Sequence, residues 1–446
     1  MISPKRPLKS PAKRRAVTAW KQVTRLDVYY QDDATPEPVG GLVVDRQGRV
    51  HFQYAATWLE TKRELSPHQL PLEQGLAVIP APDRRKLHGL HGVFADSLPD
   101  HWGMRVIDRA LRRHGIDPGQ AGPLDRLAYL GSRTMGALTY RPAARWPHIA
   151  ARATSLDQLA AESDLLTEGT IDDTGPEAAL DALEQAASSA GGAQPKVLIA
   201  TDSRGTRLTA GIAPRRGDIA YLLKFTPRRS GLGLRTDNGA IEQAFGRMAR
   251  DAGITMPWTR LFPTSDGRLH FAVERFDRTR DGGRRHVLTF GGLLGREAAG
   301  DGDYDELLRY ARALTADARA VDEVIRRLCF NLAVLNDDDH LKNVAFLLDP
   351  VSGWQLAPAY DLTYSPTRRG ERGMTVDGRD REVTWDDVER LAARHSIAPA
   401  RVREIRAVIY DGLKRWAEYA EESGVPGAAI TELAGAFESR RHALDN

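Results

Sequence analysis

The sequence predicts an α+β protein, β-rich in its first half and helical in its second. Three observations carry this. Short alternating or apolar runs, bounded by turn residues, fill the first half. Apolar residues at helical spacing dominate from about residue 285 onward. At the junction, Asp337, Asp338 and Asp339 stand between two apolar runs, 328–335 and 344–348.

Residues 1–20 read as a disordered basic arm. Lys5, Arg6, Lys9, Lys13, Arg14 and Arg15 occur there among prolines, and the first acid is Asp27. Such an arm is either a solvated tail or a contact for nucleic acid or an acidic partner. A strand over 42–44, a turn at Asp45-Arg46-Gln47-Gly48 and a strand over 49–54 follow, with Val50, Phe52 and Tyr54 on one face. Met104, Ile107, Leu111 and Ile116 then recur near helical spacing, as do Leu124, Leu127 and Leu130. This small α/β unit ends near 142–147.

Ser155 is placed to cap a helix over 156–166. Residues 176–189, rich in Ala, Leu and Glu, predict another helix, broken by Gly191, Gly192 and Pro195. Strands are expected over 196–200, 221–225 and 271–276, and a helix over 241–252 stopped by Gly253. Later, 316–335 carries Val321, Val324, Ile325, Leu328 and Leu332 on one stripe. Thr384 caps a helix over 385–394, and 398–420 predicts one long helix. Residues 368–381 hold many Arg, Gly and Asp and read as an exposed loop.

At 446 residues the chain suggests two or three packed units. With 41% hydrophobic and 28% charged residues it falls among soluble globular proteins, and a net charge of +3 makes it no strong polycation. The lone cysteine, Cys329, lies in an apolar helical stretch and reads as a packed thiol in a reducing compartment. No apolar run approaches a membrane span and the N-terminus lacks a secretory core, so a cytoplasmic protein is expected.

The chemistry centres on Asn336-Asp337-Asp338-Asp339-His340-Leu341-Lys342-Asn343. A base aspartate and a metal-ligand asparagine five residues apart fit a phosphoryl-transfer loop, and only Asp338 has Asn343 at that distance. The plain alternative is a solvated acidic turn; another is a metal site using His340 and a neighbouring acid. Asp361, in Tyr360-Asp361-Leu362, is an acid in an apolar setting and a candidate magnesium ligand, or one half of a structural ion pair. Lys224 is the single cation of an apolar strand and either clamps phosphates or snorkels from the edge. Glu242 is its candidate partner, or an ordinary first-turn acid. Gly191, Gly192, Ala193, Gln194, Pro195 and Lys196 form a Gly-rich turn that lets backbone amides approach a phosphate, although it is no Walker sequence. Ser188 and Ser189 precede it. A β-rich half, a helical half and acids at the junction match the layout of a bilobal kinase.

Taken in order, these segments resemble the HipA family of serine/threonine kinase toxins. The segment Phe94 to Trp102, Gly131 to Leu138, the stretch Ser189 to Lys196, Val273-Glu274-Arg275-Phe276-Asp277-Arg278, Asp338 to Asn343 and Tyr360-Asp361 carry the resemblance. It implies a kinase-like bilobal fold with an N-terminal subdomain of its own: 21–147 for that subdomain, 148–280 for the kinase N-lobe and 281–446 for the helical C-lobe. It implies Asp338 as catalytic base, Asn343 and Asp361 as ligands of Mg2+, and 191–196 with Lys224 as the ATP phosphate site. Glu274, Arg275 and Phe276 fall beside the adenine, and His340, Lys342 and Tyr360 elsewhere around the nucleotide. Ser189 falls at the family's autophosphorylation position, where nearly two negative charges beside an anion-binding loop would shut the enzyme down.

The resemblance also implies a helix-turn-helix antitoxin, HipB, that binds operator DNA with the toxin attached, and a tRNA-charging enzyme such as glutamyl-tRNA synthetase as target. The chain departs from the family at Pro195, which removes one backbone N–H from the loop, and in its basic arm. Two other functions compete: a catalytically silent kinase fold acting as a DNA-bound corepressor, and a small-molecule kinase.

Overall fold

Strict alternation shapes the first sheet. In the computed structural model, β1 (Arg25–Tyr30) buries Leu26, Val28 and Tyr30 and turns the residues between them outward. The structure describes residues 20–32, 35–83, 85–143, 155–167, 183–184, 194–205, 207–210, 214–230, 235–297 and 302–445. Strand β2 (Glu37–Val44) pairs with β1 and with β3 (Val50–Tyr54), and the turn between them forms where it was expected. Asp45 makes that turn, its Oδ1 accepting from Gln47 N (2.8 Å) and Arg49 N (2.9 Å). Helix α1 (Ala56–Glu60), β4 (Ile79–Pro80), α2 (Gly92–Ala95), α3 (His101–Arg113), α4 (Pro123–Leu130) and β5 (Leu138–Arg141) complete the unit. Its sheet is antiparallel with order β4-β3-β2-β1-β5.

A second antiparallel sheet follows. Helix α5 (Leu156–Thr167) is capped by Ser155, whose Oγ accepts from Gln158 N at 3.1 Å. Strands β6 (Lys196–Thr201), β7 (Leu208–Ala210) and β8 (Ile219–Lys224) precede α6 (Asn238–Asp251), and β9 (Thr259–Pro263) and β10 (Leu269–Glu274) close a sheet of order β7-β6-β8-β10-β9. Helix α6 approaches this sheet at Gly239, against Leu269 O, and at Gly246, against Thr259; it turns Ile241, Ala244, Phe245 and Met248 into the core shared with the later helices, and Gly253 ends it at φ +79°. The strand expected to reach residue 276 stops at Glu274, one residue before its last bond to β8, from Arg275 N to Ala220 O (2.8 Å). The helix expected over 176–189 lies outside the described residues, apart from Leu183 and Glu184.

The remainder is less uniformly helical than its periodicity predicts. Strand β11 (His286–Thr289), α7 (Phe290–Leu294), β12 (Gly302–Asp303), α8 (Tyr304–Thr315) and α9 (Ala318–Ala333) come first. Strands β13 (Ala345–Asp349), β14 (Gly353–Leu356) and β15 (Met374–Thr375) precede helices α10 (Trp385–Arg394), α11 (Pro399–Lys414), α12 (Trp416–Glu422) and α13 (Gly427–Asp445). The β11-β13-β14 sheet sits beside the acidic loop. Four consecutive buried residues, Ala345 to Leu348, with a turn at once behind them, form a strand buried on both faces. The single helix expected over 398–420 is two. Arg415 breaks it at ψ 12°, which swings Trp416 against Phe245 (5.2 Å) and Phe437 (5.4 Å). The loop expected to be exposed over 368–381 is only partly so: Arg372, Met374 and Val376 are buried.

The N-terminal unit and the helical part share one apolar core, running from Leu26 through Phe94, Phe290 and Leu328 to Leu444. Helix α2 meets α7 backbone to backbone. A Cβ on Gly92 would lie 1.9 Å from Gly292 O. Gly92→Ala is therefore expected to destabilise the chain by about 1–3 kcal/mol through overpacking, read as a lower urea midpoint with an unchanged slope.

Candidate active site

The loop after α9 is shaped by which of its acids go inward. Leu335 takes φ +56° and turns the chain. Asn336 Nδ2 donates to Asn331 Oδ1 (3.0 Å) and to Asp361 O (3.1 Å), which joins the two acidic segments through one side chain. Asp337 and Asp339 are buried at 4% and 2% exposure, whereas the Asp338 side chain is 65% exposed and opens into the cleft. Alternation along an extended stretch places the flanking pair on one side and the middle residue on the other. Asn343 closes the loop: its Nδ2 donates to Asp338 O at 2.6 Å. That bond occupies the amide nitrogen and leaves the amide oxygen for another partner.

Asp361 stands opposite. It adopts the left-handed conformation at φ +54°, a strained choice for a non-glycine residue that concentrates at functional sites. Lys224 Nζ bridges Asp361 Oδ1 (2.5 Å) and Glu242 Oε2 (2.6 Å). Strand β8 supplies the lysine and α6 the glutamate, one turn deeper than the first turn expected for it. Burial alone would lower the Lys224 pKa, but Asp361 and Glu242 outweigh it and hold the pKa above that of an ordinary lysine. Burial likewise pushes the Asp361 carboxyl up, yet Lys224 and Lys196 hold it down to about 2. Lys196 opens β6 in register with Lys224, and burial depresses its own pKa against the pull of Asp361.

Asp338 behaves differently. Crowding by protein atoms raises its pKa; His340 opposes this and the negative Asp361 reinforces it. The His340 ring lies 3.9 Å away. The site therefore holds two carboxyls shifted in opposite directions, Asp338 upward and Asp361 downward, a pattern that separates acid–base from charge-binding roles.

Lys196, Asp338, Asn343 and Asp361 line a cavity of about 190 Å3, and Glu274, Phe276, Val287 and Met135 line it with them. Phe276 and Tyr360 tilt at 32° with centroids 5.9 Å apart and form an apolar floor, and Tyr360 OH anchors to Lys342 O (2.6 Å). Arg275 lines the cavity with its guanidinium turned onto Asp277 (2.8 and 2.6 Å). Lys342 also lines it, but its ammonium binds Asp100 Oδ1 at 2.7 Å. Pro195 O accepts from Phe225 N (2.8 Å) and Gln194 Nε2 donates to Phe225 O (3.4 Å). Ser188, Ser189, Gly191, Gly192 and Ala193 lie outside the described residues.

Asp96, Asp100 and Leu138 bring the N-terminal unit into the cavity wall, a contribution sequence reasoning did not assign. Its only trace is a pair of acids, Asp96 and Asp100, in an otherwise apolar segment. The alternative of a solvated acidic turn does not hold for Asp337 and Asp339: they are buried anchors bound by Arg372. The metal-site alternative around His340 is not assembled, since among the described residues no three His, Cys, Asp or Glu side chains converge to hold an ion. The Asn343 amide and the Asp361 carboxylate are hard oxygen donors, too few for a protein cage. They suit magnesium, which keeps waters and phosphate oxygens in its shell.

Comparison with known proteins finds relatives of this chain in sequence and in fold. A family model described as the HipA N-terminal domain matches residues 26–141, and one described as the HipA-like C-terminal domain matches 188–416. Y4mE of Sinorhizobium fredii, which carries a kinase name, is 30% identical over 351 residues, 73% of this chain and 74% of that protein. Toxin YjjJ of Escherichia coli is 27% identical over 202 residues, 43% of this chain and 42% of its own length. The solved structure of Shewanella oneidensis HipA, in a complex with HipB and its operator DNA, superposes with a TM-score of 0.64 at 17% identity, covering 93% of this chain and 95% of that one. That likeness establishes the bilobal α+β fold.

Proposed function

Because this chain belongs to the HipA family, we propose that it is an ATP- and magnesium-dependent serine/threonine protein kinase, the toxin of a type II toxin–antitoxin pair. One observation carries the reading: Asp338, the only outward acid of its loop, lines one cavity together with Asn343 and with Asp361, which Lys224 pairs.

In this reading Asp338 accepts the proton of the attacking hydroxyl, and its raised pKa brings it closer to that task. Asn343 Oδ1 and Asp361 are the ligands of Mg2+, which when bound neutralises charge on the phosphates. Lys224 and Lys196 supply fixed positive charge beside them, and 191–196 the phosphate-facing backbone. Glu274, Phe276 and Tyr360 flank the base in the ATP cavity, with Arg275, His340 and Lys342 around it. Ser189 is the autophosphorylation site, immediately before the phosphate loop. Residues 21–147, 148–280 and 281–446 are the working units, and 1–20 a basic arm.

The partner is a HipB-like helix-turn-helix antitoxin that carries the kinase to operator DNA. The likeness to a HipA solved with HipB and operator DNA supports this. The substrate is a tRNA-charging enzyme, with glutamyl-tRNA synthetase the first to test, which places the action in the cytoplasm. The purified chain is expected to transfer label from γ-labelled ATP to itself and to that synthetase, and EDTA to abolish both. Self-labelling is expected to disappear in Ser189→Ala while synthetase labelling persists. Absence of label on every protein offered, with normal growth on expression, would sink the reading.

A further inference from the structure

The chain that follows Asp361 does not leave the site. It turns back and wraps the loop that carries Asp338. Ser365 O accepts from Asp337 N (3.1 Å), Thr367 N donates to Asp337 Oδ2 (3.1 Å), and Gly373 N donates to Asp337 O (2.9 Å). Gly373 presses so near that a Cβ there would meet His340 N at 2.7 Å. Between these contacts Arg372 plunges inward until its side chain is 1% exposed.

Its guanidinium divides itself between two acids. Nη1 lies 3.3 Å from Asp337 Oδ1, and Nη2 bonds Asp339 Oδ2 and reaches Asn336 O at 3.4 Å. Tyr304 OH donates to the same Asp339 oxygen at 2.8 Å. Two buried carboxylates two residues apart repel one another and cannot both stay ionised without a cation between them. If either left its place, the residue between them would rotate with the backbone.

We propose that Arg372 is a positioning residue for phosphoryl transfer: by holding Asp337 and Asp339 inward it aims Asp338 into the cleft. This rests on the kinase reading of Asp338. The planar fork matters as well as the charge, because a lysine ammonium is a single point and cannot reproduce the same spread of contacts. The segment after Asp361 thereby becomes part of the machinery that sets base geometry.

The test uses the full chain in five forms: wild type, Arg372→Met, Arg372→Lys, the triple variant Arg372→Met/Asp337→Asn/Asp339→Asn, and Arg381→Met. The triple variant removes the cation and both acids together, so no buried charge is stranded. Arg381, a surface arginine paired with Glu371, is the control. Three quantities are read: phosphate transfer from labelled ATP, affinity for a fluorescent ATP analogue, and hydrogen exchange of peptides spanning 336–343.

Transfer is expected to fall about 100-fold in Arg372→Met and in the triple variant, as a misplaced catalytic group does. Nucleotide affinity is expected to stay within about twofold, because the loss is confined to the transition state. Arg372→Lys is expected to retain part of the activity. Exchange in 336–343 is expected to rise about 10-fold in Arg372→Met, and Arg381→Met to match wild type throughout. Wild-type transfer in a folded Arg372→Met, or a parallel loss of nucleotide affinity, would overturn the proposal. So would unchanged exchange in 336–343. Should wild type itself transfer no phosphate, the kinase reading fails, while the exchange measurement still decides whether Arg372 holds the loop.

Discussion

Asp338→Asn is expected to lower phosphoryl transfer by about 10²–10⁴-fold, the usual contribution of a positioned general base, without unfolding the chain. The side chain is 65% exposed and makes no hydrogen bond that its neighbours need; the loop is closed instead by its backbone carbonyl, bound to Asn343. The stability effect has a definite sign. A carboxyl whose folded pKa is raised binds its proton more tightly in the folded chain, so its contribution to stability is lost as pH rises through that pKa. Asp338→Asn should therefore melt at or above the wild-type temperature near neutral pH and coincide with it in acid. Thermal melts at two pH values, beside the labelling assay, check this. A variant that loses activity only because it melts lower would show that Asp338 holds the fold.

Lys224→Met is expected to fail on both counts. Lys224 and Glu242 are buried at 5% and 4% exposure, and the lysine is the cation between two acids. Removing it strands Glu242 in the interior, and breaking a buried pair from one side costs about 3–5 kcal/mol. Asp361 loses the charge that keeps its carboxyl near 2. Urea denaturation should report the destabilisation, and titration with the fluorescent ATP analogue the loss of affinity. Lys224→Met/Glu242→Gln separates the two effects. It should recover most of the stability and none of the transfer. Recovery of transfer in the double variant would show that Lys224 serves only the fold.

Much of the site was legible because its chemistry depends on spacing within short segments. Asp338 with Asn343 five residues on, and Asp361 after a hairpin, can be read without coordinates, and the structure brings all three to one cavity. The Lys224–Glu242 pair was a candidate that only packing could decide. A strand lysine and a helix glutamate meet because α6 lies on the sheet. The β13–β14 hairpin lies within the reading of a hairpin before Asp361, but its pairing with β11 does not, because β11 and β13 are more than 50 residues apart and nothing local specifies the partner of a short apolar run. Arg372 was misread for a related reason. A stretch rich in Arg, Gly and Asp has the composition of a surface loop, and nothing local says that one arginine of the set will find two buried acids.

The sequence by itself determined the α+β class, most element positions and the choice of Asp338 from its spacing to Asn343, since these follow from periodicity, capping and spacing over a few residues. Only the tertiary structure decided what each charged side chain answers to. Lys342 meets Asp100 across 242 residues, Lys224 meets Asp361 across 137, and Arg372 meets the Asp337–Asp339 pair across more than 30. The physical reason is burial. A charge in water needs no partner, whereas a charge enclosed by protein is tolerated only beside its complement, and which complement arrives is set by how the sheets and helices pack.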